Sequence, residues 1–166
     1  MKIKCFVIRN EDEAVIESLS TDVAGLKNYI GGDIDKTLLG EHQEYVLVTH
    51  SDSKTCSSVS GYIINAGEYD EESVPFGGVW DTLNGKGVIY RTDGKDIVSD
   101  DILNIRARIV RPWEISECPG CRQTFAKYTM LWTRDCHGVV YRHMCHSCYE
   151  KAMEKGYDGV YYQKGE

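Results

Sequence analysis

Cys118-Pro119-Gly120-Cys121 and Cys145-His146-Ser147-Cys148 set two pairs of thiols at the same Cys-x-x-Cys spacing, with 23 residues between the pairs. Two cysteines three positions apart on a tight turn can aim both sulfurs at one ion, and two such turns complete a tetrahedron around zinc. Pro119 and Gly120 supply the first turn; Gly120 is expected at positive φ, which leaves backbone N–H groups free to face the sulfurs. The expectation is one structural Zn2+ on Cys118, Cys121, Cys145 and Cys148, the alternative being a set of ordinary reduced thiols. Cys136, His137, His143 and His146 lie between or beside the pairs. His143 could replace a cysteine, or Cys136 with histidines could hold a second ion, but four thiolates already close a tetrahedron. A closed site also argues against metal catalysis, which keeps one position open for water.

Two elements must position these thiols. Residues 124–133 and 138–143 are rich in β-favouring residues and fit the arms of a hairpin, with Phe125, Tyr128, Trp132, Val139, Val140 and Tyr141 covering a small core and Cys136-His137 at the tip. The second pair runs into a helical stretch, 149–155, closed by Gly156. Knuckle, hairpin, then knuckle at a helix N-terminus resembles a four-cysteine zinc finger of the treble-clef or zinc-ribbon type over residues 117–157. That resemblance implies a structural metal and says nothing about purpose.

The chain has 166 residues, enough for two small units: an acidic α+β domain at 1–113 and a zinc-finger domain at 114–166. No apolar run approaches the ~20 residues needed to cross a bilayer, and the N-terminus lacks the order of a signal peptide. The expectation is a soluble cytoplasmic protein with no membrane partner. Seven cysteines, four of them placed as ligands, suit a reducing compartment; Cys5 reads as a core residue and Cys56 as a loop thiol. Residues 1–113 carry 19 acidic and 12 basic side chains, a balance of −7, whereas 114–166 carry 7 of each. A negative domain repels phosphate backbones, so nucleic acid is an unfavourable partner for the N-terminal part. In the finger, Arg122, Lys127, Arg134 and Arg142 are dispersed and read as a solvated face.

Within 1–113 the pattern predicts a small mixed or antiparallel sheet with one or two helices. Residues 2–8 alternate and then turn continuously apolar, as a strand entering a core does. Residues 10–13 are a polar turn and 14–19 the returning arm. Thr21 or Asp22 caps a short helix carrying Val23, Leu26, Tyr29 and Ile30, stopped by Gly31-Gly32. Strands follow at 34–39 and 45–49, then a polar loop at 51–58, a buried stretch at 61–66 and a short acidic run at 70–72. Residues 75–80 and 84–87 are glycine-bearing turns without the context of a phosphate-binding loop. Residues 87–91 and 105–110 read as closing strands, the latter because Ile105, Ala107 and Ile109 alternate with Arg106 and Arg108; Ser99 could cap a short helix through Leu103. The aromatic tail at 157–162 is expected as a last strand, or else as an exposed tyrosine contact surface.

The first strand followed by Leu26-Lys27-Asn28-Tyr29-Ile30-Gly31-Gly32-Asp33-Ile34 resembles small uncharacterised domains carried by phages and mobile elements of Gram-positive bacteria. The resemblance covers about half of the chain and carries no catalytic residues across. It implies an accessory factor, non-enzymatic, that occupies a host protein such as a defence nuclease or its nucleic-acid-binding groove. Acidic side chains can compete there for basic residues. Three other classes stay open. One is sequestration of a small nucleotide by loops 51–60 and 76–78, with Tyr62, Phe76 and Trp80 stacking on the base. Another is a nucleic-acid-binding finger. The third is a hydrolase built from His42, His50 and Cys56; Asp100-Asp101 reads as a helix start or surface rather than an acid–base couple. Partner identity and oligomeric state are not legible.

Overall fold

The computed structural model describes residues 1–9, 13–66, 74–134 and 140–154, with the backbone alone described at residues 56, 132–134, 140–143, 152 and 153. Two compact units form: Met1–Ile63 with Asp81–Pro112, and Ile64–Trp80 with Trp113–Glu166. The division is therefore not one cut near Pro112, because residues 64–80 belong with the C-terminal unit. The class is α+β.

The first unit is built on a five-stranded antiparallel sheet in the order β2-β1-β7-β4-β3, from β1 (Lys2–Ile8), β2 (Val15–Ser20), β3 (Ile34–Leu39), β4 (Tyr45–His50) and β7 (Gly87–Arg91). A three-stranded sheet, β6-β5-β8, is formed by β5 (Val59–Ile64), β6 (Val79–Asn84) and the two-residue β8 (Ile109–Val110). The period-2 geometry of a strand sends alternate side chains to opposite faces, and β1 is buried on both. Ile3, Cys5 and Val7 join Leu26, Val46, Val48 and Val88 in one core. Phe6 and Ile8 join Tyr45, Leu47, Ile63, Leu83, Ile89, Ile105 and Ile109 in another. This two-sided burial is why β1 changes from alternating to continuously apolar along its length.

Helix α1 (Val23–Ile30) covers the first of these cores through Leu26, which is fully buried. Asp22 caps it, accepting a hydrogen bond from the backbone N–H of Gly25 at 2.6 Å, and Gly31 ends it in the left-handed region at φ 94°. Residues 51–58 are not a free loop. They contain a single helical turn, α2 (Ser53–Cys56), and the segment is pinned by Asn84 Nδ2 donating to Ser57 O at 3.1 Å and Gly85 N donating to Ser58 O at 3.0 Å.

The main departure from the sequence reading is at 99–110. A helix, α3 (Ser99–Arg108), occupies most of the expected strand and only Ile109 and Val110 remain extended. The alternation of Ile105, Ala107 and Ile109 is a coincidence of spacing. Ile102 and Ile105, three positions apart on one face of the helix, meet the same core as Ile109 of β8. Asp100 and Asp101 in the first turn and Arg106 and Arg108 in the last complement the helix dipole.

Asp101 also anchors α3 to the sheet. It is 6% exposed, accepts from Val98 N at 2.9 Å and from the Tyr45 hydroxyl at 2.8 Å, and receives Arg91 Nη1 on both oxygens at 3.2 Å. Asn104 Nδ2 donates to the Tyr45 oxygen at 3.4 Å. Burial pushes the Asp101 carboxyl up, but the Val98 N–H, the Tyr45 hydroxyl and the Arg91 guanidinium outweigh it and hold the group below the usual carboxylate range. A folded value below the unfolded one, about 3.9, gives stability that is complete above the unfolded value and is lost as pH falls through the folded value. Asp101→Asn is expected to lower the unfolding free energy by about 2–3 kcal/mol at pH 7 and by progressively less as pH falls through the carboxyl's lowered folded value. Urea titrations followed by circular dichroism at pH 7 and at acid pH measure this; equal losses at both would show that the carboxylate charge is not the stabilising feature.

Candidate metal centre

The C-terminal unit starts from two short hairpins. In the first, β9 (Ile115–Glu117) pairs antiparallel with β10 (Thr124–Ala126), and Thr124 faces Glu117 across the loop that carries Cys118 and Cys121. The loop is closed at its base by Cys118 N donating to Gln123 O at 2.9 Å and by Arg122 N donating to Cys118 O at 2.8 Å. The left-handed residue is Arg122, at φ 64°, and not Gly120, where the sequence places it. A non-glycine side chain in that region costs roughly 1–2 kcal/mol. Its ion pair with Glu117, 3.3 Å long with both partners more than half exposed, offsets little of that.

Asn65, Gly77 and Gly78 complete this hairpin. Gly78 bridges Phe125, Ala126 N donates to Gly77 O at 2.9 Å, and Asn65 exchanges backbone hydrogen bonds with Gly77 and Gly78 at 2.7 and 2.9 Å. Gly77 sits at φ 80°, and a Cβ there would collide with the side chain of buried Thr129.

In the second hairpin β11 (Leu131–Arg134) pairs antiparallel with β12 (Val140–Met144), and helix α4 (His146–Glu154) follows directly. Cys145 stands at its start as a cap. Its carbonyl accepts from Tyr149 N at 3.0 Å and its sulfur from Cys148 N at 3.5 Å. Both thiols of the second pair thus lie at the positive end of the helix dipole, which favours anions.

The two hairpins bring Cys118, Cys121, Cys145 and Cys148 together, with all four sulfurs within 4.8 Å of one another and Cys121 Sγ 3.9 Å from Cys145 Sγ. A tetrahedron with metal–sulfur bonds of about 2.3 Å has sulfur–sulfur edges of about 3.8 Å. The cluster fits one metal ion with sulfur shifts of an ångström or less. Around it lies a small core of Phe125, Met130 and Met144, with Tyr149 packed against it. Phe125 is buried as expected, whereas Tyr128 is 57% exposed. Met130, just before β11, and Met144, at the end of β12, belong to this core; lone methionines give no periodic signal.

The electrostatics explain why a cation is needed. Burial raises the Cys118 thiol, but N–H groups of Cys145, Cys121 and Gly120 outweigh it and bring the group to about 7. Burial pushes Cys145 up to about 11 and raises Cys148 as well, helped by the neighbouring sulfurs. One thiolate is easily held here and four are not, unless a divalent ion offsets their mutual repulsion. Metal uptake must therefore displace protons.

The other sequence candidates lie elsewhere. His146 is exposed and meets Phe76 edge-on, with ring centroids 5.9 Å apart. Cys136 and His137 fall outside the described residues, as do the side chain of His143 and the tail at 157–162. Tyr62 lies on β5 in the first unit, while Phe76 and Trp80 belong to the second. His50 Nδ1 accepts from Asp52 N at 3.0 Å, and the backbone N–H of His42 donates to Glu44 at 2.9 Å. Comparison with known protein families, curated proteins and solved structures returned no match to any of them. Among the described residues no helix is long and apolar enough to cross a membrane.

Cys118→Ser or Cys145→Ser is expected to abolish metal retention and unfold the C-terminal unit, because binding energy is folding energy in modules of this size. Full metal content in both variants would refute the ligand set. Arg122→Gly is expected to keep the metal and raise stability by about 1 kcal/mol by removing the left-handed penalty, read as an upward shift in the thermal midpoint of the metal-loaded protein.

Proposed function

We propose that the protein is a non-enzymatic binding protein whose C-terminal unit is a treble-clef-like finger held by one structural Zn2+ on Cys118, Cys121, Cys145 and Cys148. The observation that carries this reading is the closed, all-cysteine ligand set. Four thiolates leave no coordination position for water or substrate, and tetrahedral sulfur ligation suits zinc among the common divalent ions. The order of knuckle, hairpin and knuckle at a helix start supports the treble-clef assignment.

The working surface is assigned to the acidic N-terminal part. Residues 1–113 carry an excess of seven negative charges, four of them Glu68, Asp70, Glu71 and Glu72 in the segment that groups with the C-terminal unit, and this excess suits a basic protein surface, with attraction that weakens as salt screens it. The resemblance of residues 26–34 to domains of mobile elements points to a host protein as the target, occupied rather than chemically altered.

Native mass spectrometry of protein purified without added metal, before and after denaturation, tests the reading. One zinc per chain and no other released mass is the expected result. Iron in place of zinc would overturn the metal assignment, and release of a nucleotide-sized mass would replace surface occupation with nucleotide sequestration. For the partner, the expected binding to a basic protein weakens several-fold between low and physiological salt; a salt-insensitive interface would remove the acidic-surface argument.

A further inference from the structure

The four thiols differ in their access to solvent. Cys118 is fully buried and Cys145 is 3% exposed, whereas Cys148 is half-buried and Cys121 is exposed. Cys118 is also held by three N–H donors, and Cys145 by the start of α4. Cys121 is thus the sulfur a dissolved oxidant meets first, and a buried sulfur, that of Cys145, stands 3.9 Å away from it.

We propose that the metal centre is a redox-labile clasp: a hydroperoxide oxidises Cys121, a Cys121–Cys145 disulfide forms, and the metal is expelled. The proposal rests on the zinc reading above. In the first step the Cys121 thiolate attacks one peroxide oxygen; the O–O bond breaks, giving a sulfenic acid on Cys121 and an alkoxide or hydroxide ion. In the second, the Cys145 thiolate attacks the Cys121 sulfur; the S–S bond forms, the S–O bond breaks and hydroxide leaves. Each sulfur gives up one electron, and the two reduce the peroxide bond. The sulfur–sulfur distance need only close from 3.9 Å to about 2.05 Å. Cys118 and Cys148 then remain as two ligands, too few to hold a tetrahedral ion.

The effect is confined. Both hairpins and α4 lose their shared anchor, while all four ligands lie outside the first unit, which keeps its own cores. Oxidation would unfold the finger and leave the first unit folded.

The experiment uses the full-length zinc-loaded chain, hydrogen peroxide, a chromogenic zinc chelator, a sulfenic-acid trap and disulfide mapping by mass spectrometry. Expected are early trapping at Cys121, then release of one zinc with the same time course as the Cys121–Cys145 disulfide, and recovery of zinc binding after reduction. Cys121→His, which keeps a zinc-competent ligand that cannot form a disulfide, is expected to release zinc at least about tenfold more slowly. Trapping first at another cysteine, a disulfide between other residues, or zinc retained through oxidation would overturn the clasp while leaving the zinc reading intact. Absence of zinc before peroxide is added would overturn both. Because the trapping order is read on the unaltered chain, the test does not depend on Cys121→His folding.

Discussion

Four sulfur atoms within 4.8 Å of one another cannot all carry charge without a cation among them, and the C-terminal unit is organised around that constraint. Among the described residues its apolar core holds Phe125, two methionines and the buried cysteines, with Tyr149 at its edge. The unit also provides polar preparation. Backbone N–H groups converge on Cys118, and the start of α4 faces the second pair. These groups lower the cost of assembling thiolates, and a bound ion would offset the repulsion that remains.

The first unit obeys a different rule. Its strands β1, β4 and β7 are enclosed on both faces by ordinary aliphatic packing, so its stability follows from apolar area and from one buried carboxylate network rather than from a ligand. The two units therefore answer to different conditions. Acid acts on the first through Asp101, whereas a metal held by the four cysteines would make the second sensitive to thiolate protonation and to chelation.

Much of this was legible in the residues. The clustering of the four cysteines followed from spacing, and β1, β3 and β7 fell where periodicity placed them. The capped α1 followed from Asp22 and Gly31. Where the pattern failed, two physical signals overlapped or a long-range contact intervened. Ile105 and Ile109, four positions apart, satisfy a strand and a helix template at once, and the acidic-to-basic gradient from Asp100 to Arg108 was the cue that separates them. The ordering of residues 51–58 depends on Asn84 and Gly85, distant partners that no local window contains. The left-handed residue at Arg122 ran against propensity, and the glycine two positions earlier drew the expectation.

Residues 64–80 have a consequence for how the chain is made. They leave the ribosome well before β10 and α4, yet their pairing partner is Phe125, 47 residues beyond Gly78. Between the two, Asp81–Pro112 returns to the first unit. During synthesis, then, the N-terminal unit can close around a segment that still waits for its partner, with Gly77 and Gly78 lacking Phe125 and Ala126 until the first knuckle emerges. Loop closure of that length is entropically modest but slow compared with local contacts. The C-terminal unit is thus the last part to form, and a translation product that stops short of Phe125 would leave Gly77 and Gly78 without their backbone partners.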